Sequence, residues 1–129
     1  MSGRLLLDTN IIIALFAQDD AVIRGLEQAS ETFVSVVTLG ELYYGAHKSA
    51  HVAANLARIE DFASEAAVLD CNASTAREYG KVKDQPRAKG CPIPENDIWI
   101  AATALQHQLT LVSRVEHFAE VDGLSVEKW

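Results

Sequence analysis

Three consecutive leucines, Leu5-Leu6-Leu7, run straight into Asp8-Thr9-Asn10, and a second apolar run follows at Ile11–Ile13. A short continuous apolar run is the pattern of a strand covered on both faces, as in a parallel sheet packed between helices. In open sheets of that kind, ligands collect beyond the carboxyl ends of the strands. Asp8 stands at that end of the expected first strand. It is the first candidate for chemistry, and the functional question is which other acids join it.

Further along, the pattern keeps alternating. Ile11 to Ala17 predicts a short helix, and Asp19 or Asp20 is placed to cap a second one running to about Ser30. Thr32 to Val37, β-branched and aromatic, predicts a second strand. A helix is expected from Thr38 to about His47. Another is expected from Ala50 to Ala66, with Val52, Leu56, Ile59 and Ala63 spaced to share one face. Ala67–Leu69 reads as a third strand, Ala73 to about Lys89 as a helix, and Gly90-Cys91-Pro92-Ile93-Pro94 as a break that no helix passes. Beyond it come a helix from about Glu95 to His107, with Ile98, Ala101, Ala102 and Leu105 as its apolar face, and a strand at Leu109–Val112. A helical turn at Val115–Ala119 and a small strand at Leu124–Val126 complete the pattern. Strands alternating with helices, without a hairpin signal, specify a parallel α/β sheet of four to five strands.

A chain of 129 residues, 49% hydrophobic and 22% charged, suits one globular domain spanning residues 1–129. No stretch reads as a membrane span or signal peptide, so a cytoplasmic protein is the expectation. Cys71 and Cys91 form no CxxC and read as packing residues. The net charge of −7 argues against binding nucleic acid by bulk electrostatics alone. One stretch runs the other way: Arg77, Lys81, Lys83, Arg87 and Lys89 face only Glu78 and Asp84, a local charge of +3. That cluster is either a solvated helix face or a surface for a nucleic-acid backbone.

Four acid-bearing helix starts repay attention: Asp8; Thr38-Leu39-Gly40-Glu41; Glu95-Asn96-Asp97; and Ser113-Arg114-Val115-Glu116. A fifth junction, Asn72-Ala73-Ser74, is polar without an acid. Each has a purely structural reading. Asp8 or Asn10 would cap a helix, and the Thr38/Glu41 and Ser113/Glu116 pairs have capping-box spacing. Asp97 in a first helical turn suits the helix dipole. If instead Asp8, Glu41 and Asp97 converge on one sheet edge, the carboxylates repel unless one takes up a proton or a cation joins them. Oxygen-only ligands select a hard ion, Mg2+ or Mn2+, and such a site supports phosphodiester hydrolysis. A bound cation would also let an acidic protein approach a phosphate.

LLLDTN, TLGELYYGA, PIPENDIWIAA and TLVSR…HF with VDGLSVEKW, in that order across nearly the whole chain, resemble the PIN-domain ribonucleases. More narrowly, they resemble VapC-type toxins of toxin–antitoxin pairs. The resemblance implies a single PIN-like domain and a Mg2+- or Mn2+-dependent endoribonuclease acting on RNA, transfer RNA being one candidate substrate. It also implies a VapB-type antitoxin partner and a homodimer. By position, Asp8, Glu41 and Asp97 match the acidic triad, Asp8 and Asp97 the metal ligands, and Thr9, Asn10 and Ser113 the supporting polar groups. Lys81, Lys83 and Arg87 are the candidate RNA contacts.

One position departs from the family. Where a fourth acid is usual, this chain has Val115, which ligates nothing, and Glu116 beside it is expected to cap a helix rather than replace it. A weakened second metal and attenuated turnover follow as expectations. The alternative is a catalytically dead PIN-like binding module. A phosphatase or receiver-like domain fits less well, because the position two residues after Asp8 is Asn10 rather than an acid. His47 and His51 have a zinc-like spacing but lack further ligands nearby. Trp99 and Ile100 are expected to pack, and Tyr43 and Tyr44 to serve the core or a dimer interface.

Overall fold

The first strand, β1 (Arg4–Leu7), is covered on both faces as its leucines require: Leu5, Leu6 and Leu7 are all buried. Successive side chains on a strand point to opposite faces. Leu5 and Leu7 accordingly join one apolar cluster with Ile11, Ile12, Val34 and Ile59, while Leu6 joins a second with Ile98, Ile100, Leu111 and Phe118. The computed structural model describes residues 3–85 and 92–129.

Helices α1 (Thr9–Phe16) and α2 (Asp20–Gln28) lead to β2 (Glu31–Ser35), then α3 (Val36–His47), α4 (Val52–Glu65) and β3 (Ala67–Leu69). Helices α5 (Ala73–Asp84) and α6 (Glu95–His107) precede β4 (Thr110–Val112), a 3-10 helix at Glu116–Glu120 and β5 (Val126–Glu127). The five strands form one sheet in the order β3-β2-β1-β4-β5, every neighbouring pair parallel. The chain winds outward from β1 through β2 to β3, then returns to the other side of β1 as β4. That reversal is a topological switch point, and it opens a crevice beyond the carboxyl end of β1.

The expected architecture is therefore the observed one, with local corrections. The second strand stops at Ser35 rather than Val37, because the Ser35 hydroxyl accepts the Thr38 N–H at 3.1 Å and starts α3 two residues early. Thr38 is thus a buried first-turn residue, and the Thr38/Glu41 capping box does not form. The Ser113/Glu116 box is absent too: Glu116 is exposed and paired with Lys128. In α4, Ile59 is buried but Val52 is exposed at the start of the helix. Asn72 caps α5 in a true capping box with Thr75. Helix α5 ends at Asp84, short of the expected Lys89, with Gln85 extended ahead of Pro86 in the sequence; Arg87, Lys89, Gly90 and Cys91 lie outside the described residues. Helix α6 has the expected bounds, with its start just past the Pro-containing break.

Two further contacts brace the exit from β4. Arg114 pairs with Asp19 at 3.1 Å and donates to the Trp129 carbonyl at 2.7 Å. The Trp129 ring lies over Gly25 so closely that a Cβ there would stand 2.6 Å from it. Tyr43 packs on the first cluster, while Tyr44 is 65% exposed. Among the described residues no helix is long and apolar enough to cross a membrane.

Candidate active site

Asp8 leaves β1 as the N-cap of α1, its own N–H bonded to Val112 O of β4 at 3.0 Å. Its carboxylate accepts the Thr9 N–H at Oδ1 (2.8 Å) and the Ser113 hydroxyl at Oδ2 (2.7 Å). The capping role and the site role are therefore one: a helix N-terminus supplies a donor to a carboxylate that is only 3% exposed. Burial holds the Asp8 carboxyl above the ordinary value of 3.8. The Ser113 hydroxyl and the Thr9 N–H pull it back down, and the negative charges of Asp97 and Glu41 add to the rise.

Glu41, one turn into α3, is fixed by both oxygens. Thr9 Oγ1 donates to Oε1 at 2.5 Å, and Asn96 Nδ2 donates to Oε2 at 3.2 Å. Thr9 Oγ1 also lies 3.1 Å from the Thr38 hydroxyl, which ties the starts of α1 and α3 together. Asp97, in the first turn of α6, has Oδ2 2.7 Å from His117 Nε2 on the 3-10 helix. Burial raises its carboxyl above 3.8, His117 opposes the rise, and Glu41 adds to it. Three carboxylates from three different helices thus feel one another at the carboxyl edge of the sheet, as their positions in the sequence predict.

The supporting positions divide. Thr9 and Ser113 hold Glu41 and Asp8 directly, as described. Asn10 is partly buried, and its buried Oδ1 has no hydrogen-bond partner among the described residues. Lys81 pairs with Glu78 at 3.6 Å, and Lys83 pairs with Glu95 at 2.6 Å beside Tyr79, so much of the local positive charge is already matched. Arg87 lies outside the described residues. His47 and His51 are exposed, Ile100 is buried, and Trp99 stacks on Tyr79 at 4.1 Å. Val115 sends its side chain toward the second apolar cluster, not into the crevice. Asn96, Thr38 and His117 are site residues that local reading passes over. Asn96 sits next to Asp97, and His117 is the His of the TLVSR…HF motif, but neither carries a local sign of the acid it contacts.

The donor set fits a hard divalent cation. The negative groups are all carboxylate oxygens, Asp8 and Asp97 are raised by burial and by the charge of neighbouring acids, and the Asn10 oxygen lacks a partner among the described residues. Among the described residues no three His, Cys, Asp or Glu groups already form a metal-holding cluster. Asp8 and Asp97 are the carboxylates that could ligate such an ion directly, since Mg2+ commonly takes one or two carboxylates and keeps waters. Glu41 stands as a neighbour already engaged by Thr9 and Asn96.

The raised acids set a pH dependence. A group whose folded pKa exceeds its unfolded value contributes stability that is full below the unfolded value, here 3.8, and lost as pH climbs through the folded one. Without a cation, the charges on Asp8 and Asp97 therefore weaken the fold at neutral pH. In chelator, Asp8→Asn is expected to melt higher than the native chain at pH 7–8, the gap closing toward pH 3–4. A pH-independent gap in thermal melts would contradict the desolvated carboxylate.

Residues 5–124 match the PIN domain family. Ribonuclease VapC2 of Haemophilus influenzae is 40% identical, the match covering 98% of each chain. The tRNA(fMet)-specific endonuclease VapC of Shigella flexneri is 37% identical, again over 98% of each. Among solved structures, VapBC2 from Rickettsia felis bound to a DNA fragment from their promoter contains a chain that superposes with a TM-score of 0.87. That chain is 29% identical, and the match covers 98% of both. With its sheet order, its acids at the switch point and these matches along nearly its full length, the chain belongs to the PIN-domain family and, within it, to the VapC ribonucleases.

Proposed function

We propose that this protein is the toxin of a VapBC-type pair, a metal-dependent endoribonuclease that Asp8 and Asp97 equip with Mg2+ or Mn2+ and that a VapB-type antitoxin holds in check. The observation that carries the reading is the buried Asp8 carboxylate facing Asp97 and Glu41 at the switch point of the sheet. Divalent-metal dependence is general among nucleases of this family. Antitoxin partnership is supported by the VapBC complexes among its structural neighbours.

When bound, the cation supplies Lewis acidity, which acidifies water and offsets the phosphate's charge. The protein's own groups do the rest. Asp8 is immobilised by Ser113 and the Thr9 N–H, so its carboxylate needs no reorientation when a cation arrives. Glu41, steadied by Thr9 and Asn96, orients the attacking water and takes a share of its proton. Asn10 offers a free oxygen to the same edge. Lys81, Lys83 and Arg87 contact the RNA backbone, and Lys83 exchanges Glu95 for phosphate when it does so. The substrate is RNA, with transfer RNA the first class to try, and the protein acts in the cytoplasm as a homodimer.

Cleavage of a transfer-RNA mixture is expected with Mg2+ or Mn2+ and lost in chelator, and Asp8→Asn is expected to lose at least about 100-fold, roughly the scale of removing one key electrostatic group. Metal-dependent cleavage that survives Asp8→Asn would overturn the site. Neutralising Lys81, Lys83 and Arg87 together is expected to weaken RNA binding and reduce its salt slope by about two to three. An unchanged slope would remove them from the RNA surface. Light scattering that finds only a single 14.1 kDa chain would remove the homodimer.

The second reading, a dead PIN-like module, draws on Val115. It requires a site that no longer holds a cation, which Mn2+ calorimetry decides. The raised, oxygen-only pair of Asp8 and Asp97 favours the enzyme.

A further inference from the structure

One short segment leaving β4 touches both acids, the buried Asp8 and the partly buried Asp97. Ser113 Oγ donates to Asp8 Oδ2 at 2.7 Å and accepts the Val115 N–H at 3.0 Å. Four residues after Ser113, His117 Nε2 lies 2.7 Å from Asp97 Oδ2. An ionised carboxylate has no hydrogen to give, so with Asp97 charged the imidazole is the donor. The ring is not free to wander. Phe118 beside it is fully buried, and the two rings meet edge to face with centroids 5.0 Å apart. Val115 anchors the same turn by packing on the second apolar cluster.

We propose that His117 is the positioning residue for Asp97 and that it reserves Oδ2, so that each chain takes one divalent cation through Asp8 and the other Asp97 oxygen, rather than two. This rests on the reading of Asp8 and Asp97 as cation ligands. Three observations lead to it. The oxygen a second cation would need already accepts an N–H from a ring held in place by packing. The turn that bears His117 offers Val115 where a fourth carboxylate would be required, and Glu116 is turned outward to Lys128. Finally, both Glu41 oxygens already accept hydrogen bonds, from Thr9 and Asn96, which makes Glu41 a poor ligand for a second ion. His117 thus takes over the orienting duty that a fourth acid would otherwise share. Groups that hold a metal ligand from behind in this way typically change metal affinity about 10- to 100-fold when removed.

The test is Mn2+ binding to the purified full chain, followed by electron paramagnetic resonance of the free ion and by calorimetry. One tight Mn2+ per chain is expected for the native protein. His117→Gln keeps an amide N–H donor and is expected to bind within about threefold of native. His117→Leu, which has no donor, is expected to bind about 10- to 100-fold more weakly. Native-like affinity in His117→Leu, or two tight ions in the native chain, overturns the proposal. Should His117→Leu fail to fold, the native stoichiometry and the His117→Gln affinity still decide, since a Gln variant as weak as an unfolded control removes the donor role. Asp8→Asn and Asp97→Asn separate the two levels of the account. If both bind Mn2+ like the native chain, the cation reading itself fails; if both lose Mn2+ while His117→Leu keeps it, only the role of His117 fails.

Discussion

The structure depends on keeping one carboxylate, Asp8, almost entirely out of water at the end of a strand covered on both faces. A charge in that position is costly unless hydrogen bonds and an opposite charge compensate it. The protein provides the hydrogen bonds itself, from the Ser113 hydroxyl at the end of β4 and from the first N–H of α1. Among the described residues no positive side chain pairs with Asp8. The protein adds two more acids instead, which raise the cost further. Such an arrangement persists where something other than stability is being selected, and on the function proposed above the missing positive charge is the one a divalent cation would bring.

The sheet order puts the necessary groups within reach. Because β1 lies between β2 and β4, the segments leaving all three strands open on the same crevice: Asp8 and Thr9 from β1, Thr38 and Glu41 from the helix after β2, and Ser113 and His117 from the turn after β4. Asp97 and Asn96 arrive on α6, the helix that feeds β4. Thr9 is the hinge of this arrangement. Its N–H serves Asp8 and its hydroxyl serves Glu41, so one residue sets the relation between two acids. Rigid helix starts hold such groups more closely than loops would.

Much of this was legible before any coordinates. The Leu5–Leu7 run and the alternation of strand and helix patterns are properties of single segments, and burial on both faces is the only simple way to satisfy them. The bounds of α6 followed from Pro94 and from its apolar spacing. The acids at helix starts were visible for the same reason. The start of α3 differs from expectation because hydroxyls stand at more than one suitable spacing. Ser35 and Thr38 both lie three residues before a residue they might cap, and where β2 ends decides between them. Ser113 was legible as a polar group at the edge, but its bond to Asp8 spans 105 positions. The contact between His117 and Asp97 joins two turns 20 residues apart through the fold alone. No local pattern carries information of that kind.

The central claim is that Asp8 and Asp97 are acids raised by burial and by the charge of neighbouring carboxylates, and brought down by a cation. Carboxyl carbon resonances of both side chains, followed by NMR through a pH titration without metal and again with Mg2+, test it most directly. The account predicts midpoints above the ordinary 3.8 in the metal-free protein and a downward shift for both when Mg2+ is present. Midpoints at or below the ordinary value, or midpoints that Mg2+ leaves unmoved, would contradict it.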